Sequence, residues 1–323
     1  MSIVVTFIIP ALNEERHISR CLQSIRRLSL PDEVDRIEII VVDNQSTDRT
    51  ADVSRREGAI VEQIAPGHPS RARNAGARPA MGDWLAFVDA DCELPVNWLT
   101  TCGSHLLQDE EVVAAAGVMG LPSAEATWVE RAWFDLAHRA NRHGAAAVRW
   151  LPTYNLLVRR QTFERVGGFD ESLSTCEDCD LGYRMAAIGR QMVDARAEVV
   201  HSGESRSLRE LFRREAWRTR GNFRLAWARP FDGGNWISLL FPPGVLAILA
   251  VALGGGLASF AIGSLTWPWF AVLLAMLVGV ALLVARKSMS ANVMSLARQT
   301  VVFLTYLSGR TAGLLWAFKR VER

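Results

Sequence analysis

Two carboxylates separated by one residue, Asp89 and Asp91, stand directly after the apolar run Leu85 to Val88. Acids at the tip of a buried strand suit a hard divalent cation, because Mg²⁺ or Mn²⁺ takes oxygen ligands and commonly shares a diphosphate with one or two protein carboxylates. Asp91 reads as a metal ligand, and Asp89 as a partner of a ribose or of the metal. Asp43 closes a second apolar run, Ile37 to Val42, where its carboxylate can accept a hydrogen bond from the imide of a nucleotide base. Just beyond it, Ser46 or Thr47 can cap the helix that follows. The run Ser70-Arg71-Ala72-Arg73-Asn74-Ala75-Gly76 places two arginines and small residues near a helix start, a setting for phosphate that a solvated helix face would share. Finally, Cys176-Glu177-Asp178-Cys179-Asp180 opens a helix. Its carboxylates suit removal of a proton from an attacking hydroxyl, with helix capping as the plainer reading. The CxxC within it lacks the second Cys or His pair of a zinc site.

These groups must be positioned by strands. Val4 to Ile9 is a continuous apolar, β-branched run, as a strand covered on both faces requires. Ile18, Cys21, Leu22, Ile25 and Leu28 then recur at helical spacing before the strand Ile37 to Val42, which makes a βαβ unit. The alternation continues through helix 49–57, strand 60–64, helix 70–80 and strand 84–88. It predicts an α/β fold with a doubly wound, mostly parallel sheet, whose ligands bind at the carboxyl ends of the strands. Helices over 95–108 and 128–142 and strands over 112–118, 154–158 and 192–200 complete a less regular half that shapes the acceptor side.

Composition changes sharply near residue 236. Of 36 basic residues only seven lie beyond it, and of 34 acids only Glu322 does. Ile237 to Phe260 and Thr266 to Ala285 carry no charge, and each exceeds or approaches the roughly 20 residues that cross about 30 Å of hydrocarbon. The expectation is a transmembrane helical hairpin, with Arg286 and Lys287 marking a cytoplasmic return. A third apolar stretch, 300–318, is interrupted by Arg310 and reads as an interfacial or re-entrant helix in preference to a third span. Residues 206–229 hold eight arginines interleaved with Leu and aromatic residues, the pattern of an amphipathic helix on an anionic membrane surface. Three regions result: 1–205, 206–235 and 236–323. The five cysteines are odd in number and scattered, unlike a secreted disulfide framework. The chain is therefore expected at the cell membrane, multi-pass, with its catalytic part in the cytoplasm and no nucleic-acid partner.

PALNEE at 10–15, VVDNQSTDRT at 41–50, ARNAGA at 72–77, DADC at 89–92 and CEDCDLGYR at 176–184 occur in one order over roughly residues 1 to 230. Together they resemble family 2 glycosyltransferases, and the resemblance implies the GT-A fold. It implies further that the segment from Pro10 through Ala11 to Asn13 and Asp43 hold the nucleotide base, and that Asp89 and Asp91 hold ribose and metal-bound diphosphate; Glu15, Arg73 and Asn74 are counted with the nucleotide-binding candidates. Asp91 would hold Mg²⁺ or Mn²⁺, and Asp178, beside Glu177, would be the base of an inverting transfer. His201, after the strand 192–200, stands where such enzymes place a metal or diphosphate contact, a structural histidine being the other reading. Arg213-Arg214-Glu215-Ala216-Trp217 only approaches the Gln/Arg-x-x-Arg-Trp motif of some membrane-bound relatives.

The partners expected are a UDP- or GDP-sugar donor, the membrane, and a hydroxyl-bearing acceptor that is lipid-linked or a saccharide. A polyprenyl-phosphate acceptor is the alternative, although an ionised phosphate needs no base. Competing classes are a non-catalytic nucleotide-sensing membrane scaffold and a nucleotidyltransferase, the latter disfavoured by the acidic PALNEE turn.

Overall fold

The computed structural model describes residues 2–122, 125–137, 144–228, 233–262, 267–287 and 292–321. In chain order the elements are β1 (Ile3–Ala11), α1 (Ile18–Arg26), β2 (Val34–Asp43), α2 (Thr50–Arg56), β3 (Ile60–Gln63), α3 (Pro69–Ala77) and β4 (Trp84–Val88). They continue with β5 (Cys92–Glu93), α4 (Trp98–Gln108), β6 (Val112–Met119), α5 (Trp128–Ala137), β7 (Ala145–Val148), β8 (Asn155–Arg159), α6 (Arg160–Arg165), α7 (Glu177–Met185) and β9 (Arg190–His201). Four long helices close the chain: α8 (Leu208–Ala228), α9 (Gly233–Ala261), α10 (Trp267–Lys287) and α11 (Val293–Val321). Two compact units divide these elements: residues 1–123 with 141–204, and residues 124–140 with 205–323.

The first unit is a mixed sheet in the order β3-β2-β1-β4-β8-β6-β9-β5, with β7 paired to β9. β1, β2, β3 and β4 run parallel. β8 lies antiparallel between β4 and β6, and β9 returns parallel to β6. The expectation of a mostly parallel sheet thus holds for β1, β2, β3, β4, β6 and β9, which share one direction, while β5, β7 and β8 run against it and make the sheet mixed. A strand buried on both faces is apolar throughout whichever way it runs, so its composition carries no direction.

Side chains alternate between two cores. Val5, Phe7 and Ile9 join Trp84, Ala86 and Val88 under α1 and α4, while Ile8, Ile40, Val42, Leu85 and Phe87 face α3, α6 and α7. Each such large side chain contributes about 1.5–3 kcal/mol on burial. Gly76 is required at the second face, since a Cβ there would lie 2.5 Å from Ile8 Cγ2 and 2.8 Å from Val42 Cγ2. The close approach seats α3 directly over the β1–β2 pair. With Ala11 paired to Asp43, the carboxyl ends of β1 and β2 finish level.

In the second unit α11 packs against α8, α5, α9 and α10. Gly309 and Gly313 of α11 let the α8 backbone approach, because a Cβ at Gly313 would stand 2.2 Å from Ala216 O. Beside that crossing, Glu215 is fully buried and accepts from both Arg310 Nε (2.8 Å) and Arg218 Nη1 (2.8 Å). The charge in the third apolar stretch is therefore neutralised within this unit, and the stretch is one continuous helix. The segment Trp236–Ala261, with mean hydropathy 2.2, is the one described helix long and apolar enough to cross a membrane. The second apolar stretch forms α10, and a membrane-crossing hairpin rests on the sequence. Residues 138–142 of the expected helix 128–142 lie outside the described residues.

Candidate functional site

Non-glycine backbone in the left-handed region occurs, among the described residues, at Asn13 (φ 58), Gln45 (φ 62) and Cys176 (φ 63). All three fall at the turns singled out from the sequence, where strain is held only if the surroundings over-determine it. The surroundings are visible. Asn13 N donates to Ser46 Oγ (2.9 Å), and Asn13 Oδ1 accepts from Thr47 N (2.8 Å). Glu15 N donates to Asp48 Oδ2 (3.2 Å), while Glu15 Oε2 accepts from Arg49 N (3.1 Å). Ser46 and Thr47, expected as able to cap the following helix, instead fasten the PALNEE turn, and Asp48 closes a local turn before α2 by accepting from Thr50 N (2.9 Å). Asp43 is buried, with Oδ1 accepting from Ser46 N (3.1 Å) and Oδ2 from Gln63 Nε2 (3.4 Å). Pro10 and Ala11 end β1 next to this turn, and Ala11 O accepts from Asn44 N (2.9 Å).

At the end of β4, Asp91 and His201 meet, with His201 Nε2 3.5 Å from Asp91 Oδ1. β5 brings them together, since Cys92 pairs with His201 across the sheet. Gly203 completes the corner: a Cβ there would lie 2.0 Å from Asp91 Oδ2, so only glycine leaves that oxygen its place. Glu204 stands 3.3 Å from His201 Nδ1. Burial pushes the Asp91 carboxyl up, with Asp89 adding to the rise and His201 opposing it. Burial alone would lower His201, but Glu204 and Asp91 outweigh it and raise the imidazole. Glu14 is pushed up to about 7 by burial and then by Asp91 and Asp89. Acids that hold one another's pKa up form a site short of positive charge, which a divalent cation relieves. Cys92 lies within 4.8 Å of Asp91 and His201, yet burial holds its thiol well above its ordinary range, and a neutral thiol is a poor ligand for a hard cation. Asp91 and His201 are the donors that fit.

Opposite stands the start of α7. Glu177 Oε1 accepts from Arg73 Nη1 (2.8 Å), and the other arm of the same guanidinium, Nη2, donates to Asp89 Oδ1 (2.7 Å). Arg73 and Asn74, expected at phosphate, are thus both held by protein. Asn74 Nδ2 donates to Phe169 O (2.9 Å) and its Oδ1 accepts from Phe169 N (2.9 Å). Asp178 accepts from Cys179 N (2.8 Å), and burial, with the negative charge of Glu177 next, pushes its carboxyl up to about 6. A carboxylate with a raised pKa suits a base working near neutrality.

Gly203, Glu204 and Glu14 were not singled out from the sequence. A glycine and an acid within three residues of His201 were the only signal for the first two.

Residues 6–172 match the family model described as glycosyl transferase family 2. The chain belongs to glycosyl transferase family 2. Among its relatives, a probable glycosyltransferase YdaM of Bacillus subtilis is 27% identical over 73% of this chain, and a succinoglycan biosynthesis protein ExoA of Rhizobium meliloti is 26% identical over 56%. The chain spans 56% and 58% of the lengths of those two proteins. A glycosyltransferase AglE of Haloferax volcanii is 25% identical, over 74% of this chain and 81% of its own. The fold is shared with the mannosyltransferase PcManGT of Pyrobaculum calidifontis, solved with GDP-Man and Mn²⁺, at a TM-score of 0.66 and 22% identity over 98% of this chain and 88% of that one.

Proposed function

We propose that this family 2 protein is an inverting glycosyltransferase working at a membrane surface. It moves a sugar from a nucleoside-diphosphate donor to a hydroxyl of a saccharide or lipid-linked acceptor. The observation that carries the reading is the convergence of Asp91 and His201 with the Asp89–Arg73–Glu177 bridge beside Asp178. The turns at Asn13 and Asp43 hold the nucleotide, and Asp89 its ribose. Asp91 and His201 hold Mg²⁺ or Mn²⁺; the mixed oxygen and imidazole donor set favours Mn²⁺. Such an ion, when bound, supplies positive charge to the leaving diphosphate. Asp178 removes the proton of the attacking hydroxyl on the opposite face of the sugar. An acceptor hydroxyl is favoured over a polyprenyl phosphate because a base of raised pKa serves only a group that carries a proton. A mannosyltransferase of the same fold bound to GDP-Man and Mn²⁺ supports both the donor class and the cation.

The membrane belongs to this reading through α9, whose Leu240, Phe241, Ile248, Val251 and Leu257 are exposed, and through α8, where Arg209, Arg213, Trp217 and Trp227 are exposed. The deciding experiment incubates the purified full chain with UDP- and GDP-sugars, Mn²⁺ and a panel of saccharide and lipid-linked acceptors. Acceptor-dependent release of nucleoside diphosphate supports the proposal; donor binding with no turnover on any acceptor would favour a nucleotide-sensing scaffold.

A further inference from the structure

The arginine of the ARNAGA run has an uncommon environment. Arg73 is 4% exposed, its guanidinium carbon lies 5.6 Å above the centre of the Phe169 ring, and its two arms end on carboxylates 16 and 104 residues away in sequence. Its Nε is buried without a hydrogen-bond partner. Phe169 is in turn fixed by Asn74 at both its N–H and its carbonyl, and Ser70 Oγ donates to Leu173 O (3.1 Å). Two consecutive turns of α3 therefore grip the loop that leads into α7 and that helix's first residue. A planar fork suits such a double task, since it presents parallel donors at a fixed angle where an ammonium presents one point charge.

We infer that Arg73 is a positioning residue, which ties the Asp89 end of β4 to the first turn of α7 so that donor carboxylates and base keep one spacing. In this role Glu177 is the anchor of α7, and Asp178 is left to meet the acceptor. The inference rests on the glycosyl-transfer reading above and deepens it: Arg73 acts through Asp89 and Asp178 and does not touch the diphosphate.

The test is a split between kcat and donor KM in the full chain. Arg73→Met should lower kcat by about 10²-fold, the scale of a 1 Å misplacement of a reacting group, while donor KM and the Kd for nucleoside diphosphate with Mn²⁺ stay within about threefold. Removing the anchor with its cation, in Arg73→Met/Glu177→Gln, should fold better than Arg73→Met because one carboxylate, Asp89, is left without its cation instead of two. Its kcat should stay low. Arg73→Lys keeps the buried charge but reaches one carboxylate, so kcat should lie between those of wild type and the methionine variant. Should Arg73→Met not fold, Arg73→Lys and the double variant carry the same reading. A rise in donor KM and nucleotide Kd of tenfold or more at preserved kcat, in whichever variant folds, overturns the inference and returns Arg73 to the phosphate site. Absence of turnover in the wild-type chain would instead count against the glycosyl-transfer reading itself.

Discussion

Asp178 and Glu177 are adjacent in sequence, yet they have different surroundings. Glu177 is neutralised by Arg73, while the Asp178 carboxyl is raised by burial and by the charge of Glu177. We expect Asp178→Asn to reduce kcat by about 10²–10⁴-fold, the usual worth of a positioned base, with nucleotide affinity unchanged; titration calorimetry and steady-state rates check this. A base must be ionised to act, so kcat/KM should fall as pH drops through about 6, and the acid limb should vanish in the variant. The same groups set the stability of the metal-free protein. Glu14, Asp91, Asp178 and His201 all have folded pKa values above their ordinary ones. The folded state therefore binds more protons than the unfolded chain, and stability falls as pH rises through the raised values. Thermal midpoints of metal-free protein should be higher at pH 6 than at pH 8; the reverse order would contradict these shifts.

The parallel half of the sheet was legible because Val4 to Ile9, Ile37 to Val42 and Trp84 to Val88 are long runs that only a two-sided core can bury. The antiparallel insertion of β8 was not, since Asn155–Arg159 reads the same in either direction. β5 is two residues long, and β7, Ala145–Val148, has little β preference of its own, so both exist by pairing to β9. The acidic clusters at Asp89 to Asp91 and Asp178 stood out locally. The partners of Arg73 did not, because 104 residues separate it from Glu177 and only the fold closes that gap. Glycine roles were equally hidden. Gly203→Ala should leave the fold intact while displacing Asp91, and so weaken Mn²⁺ binding at least as much as it lowers activity. In α8, the buried Glu215 pairs with the largely buried Arg310 and the more exposed Arg218, so Glu215→Ala should cost about 3 kcal/mol, the lower end for a buried pair that loses one partner. Denaturant unfolding of the detergent-solubilised chain checks that value.

At the scale of the whole molecule, the sequence divides into a charged part and an apolar part, and the structure supports two compact units. The helix α5 falls in the same unit as α8 to α11, a grouping that a linear reading of domains could not show. Asp91, beyond the end of β4, and His201, the last residue of β9, are proposed to hold one cation, and electron paramagnetic resonance of Mn²⁺ with nucleoside diphosphate tests that most directly. The wild-type chain should deplete the free six-line Mn²⁺ signal at a stoichiometry of about one, and Asp91→Ala should leave it free at the same concentration. Equal depletion by both proteins would contradict the account.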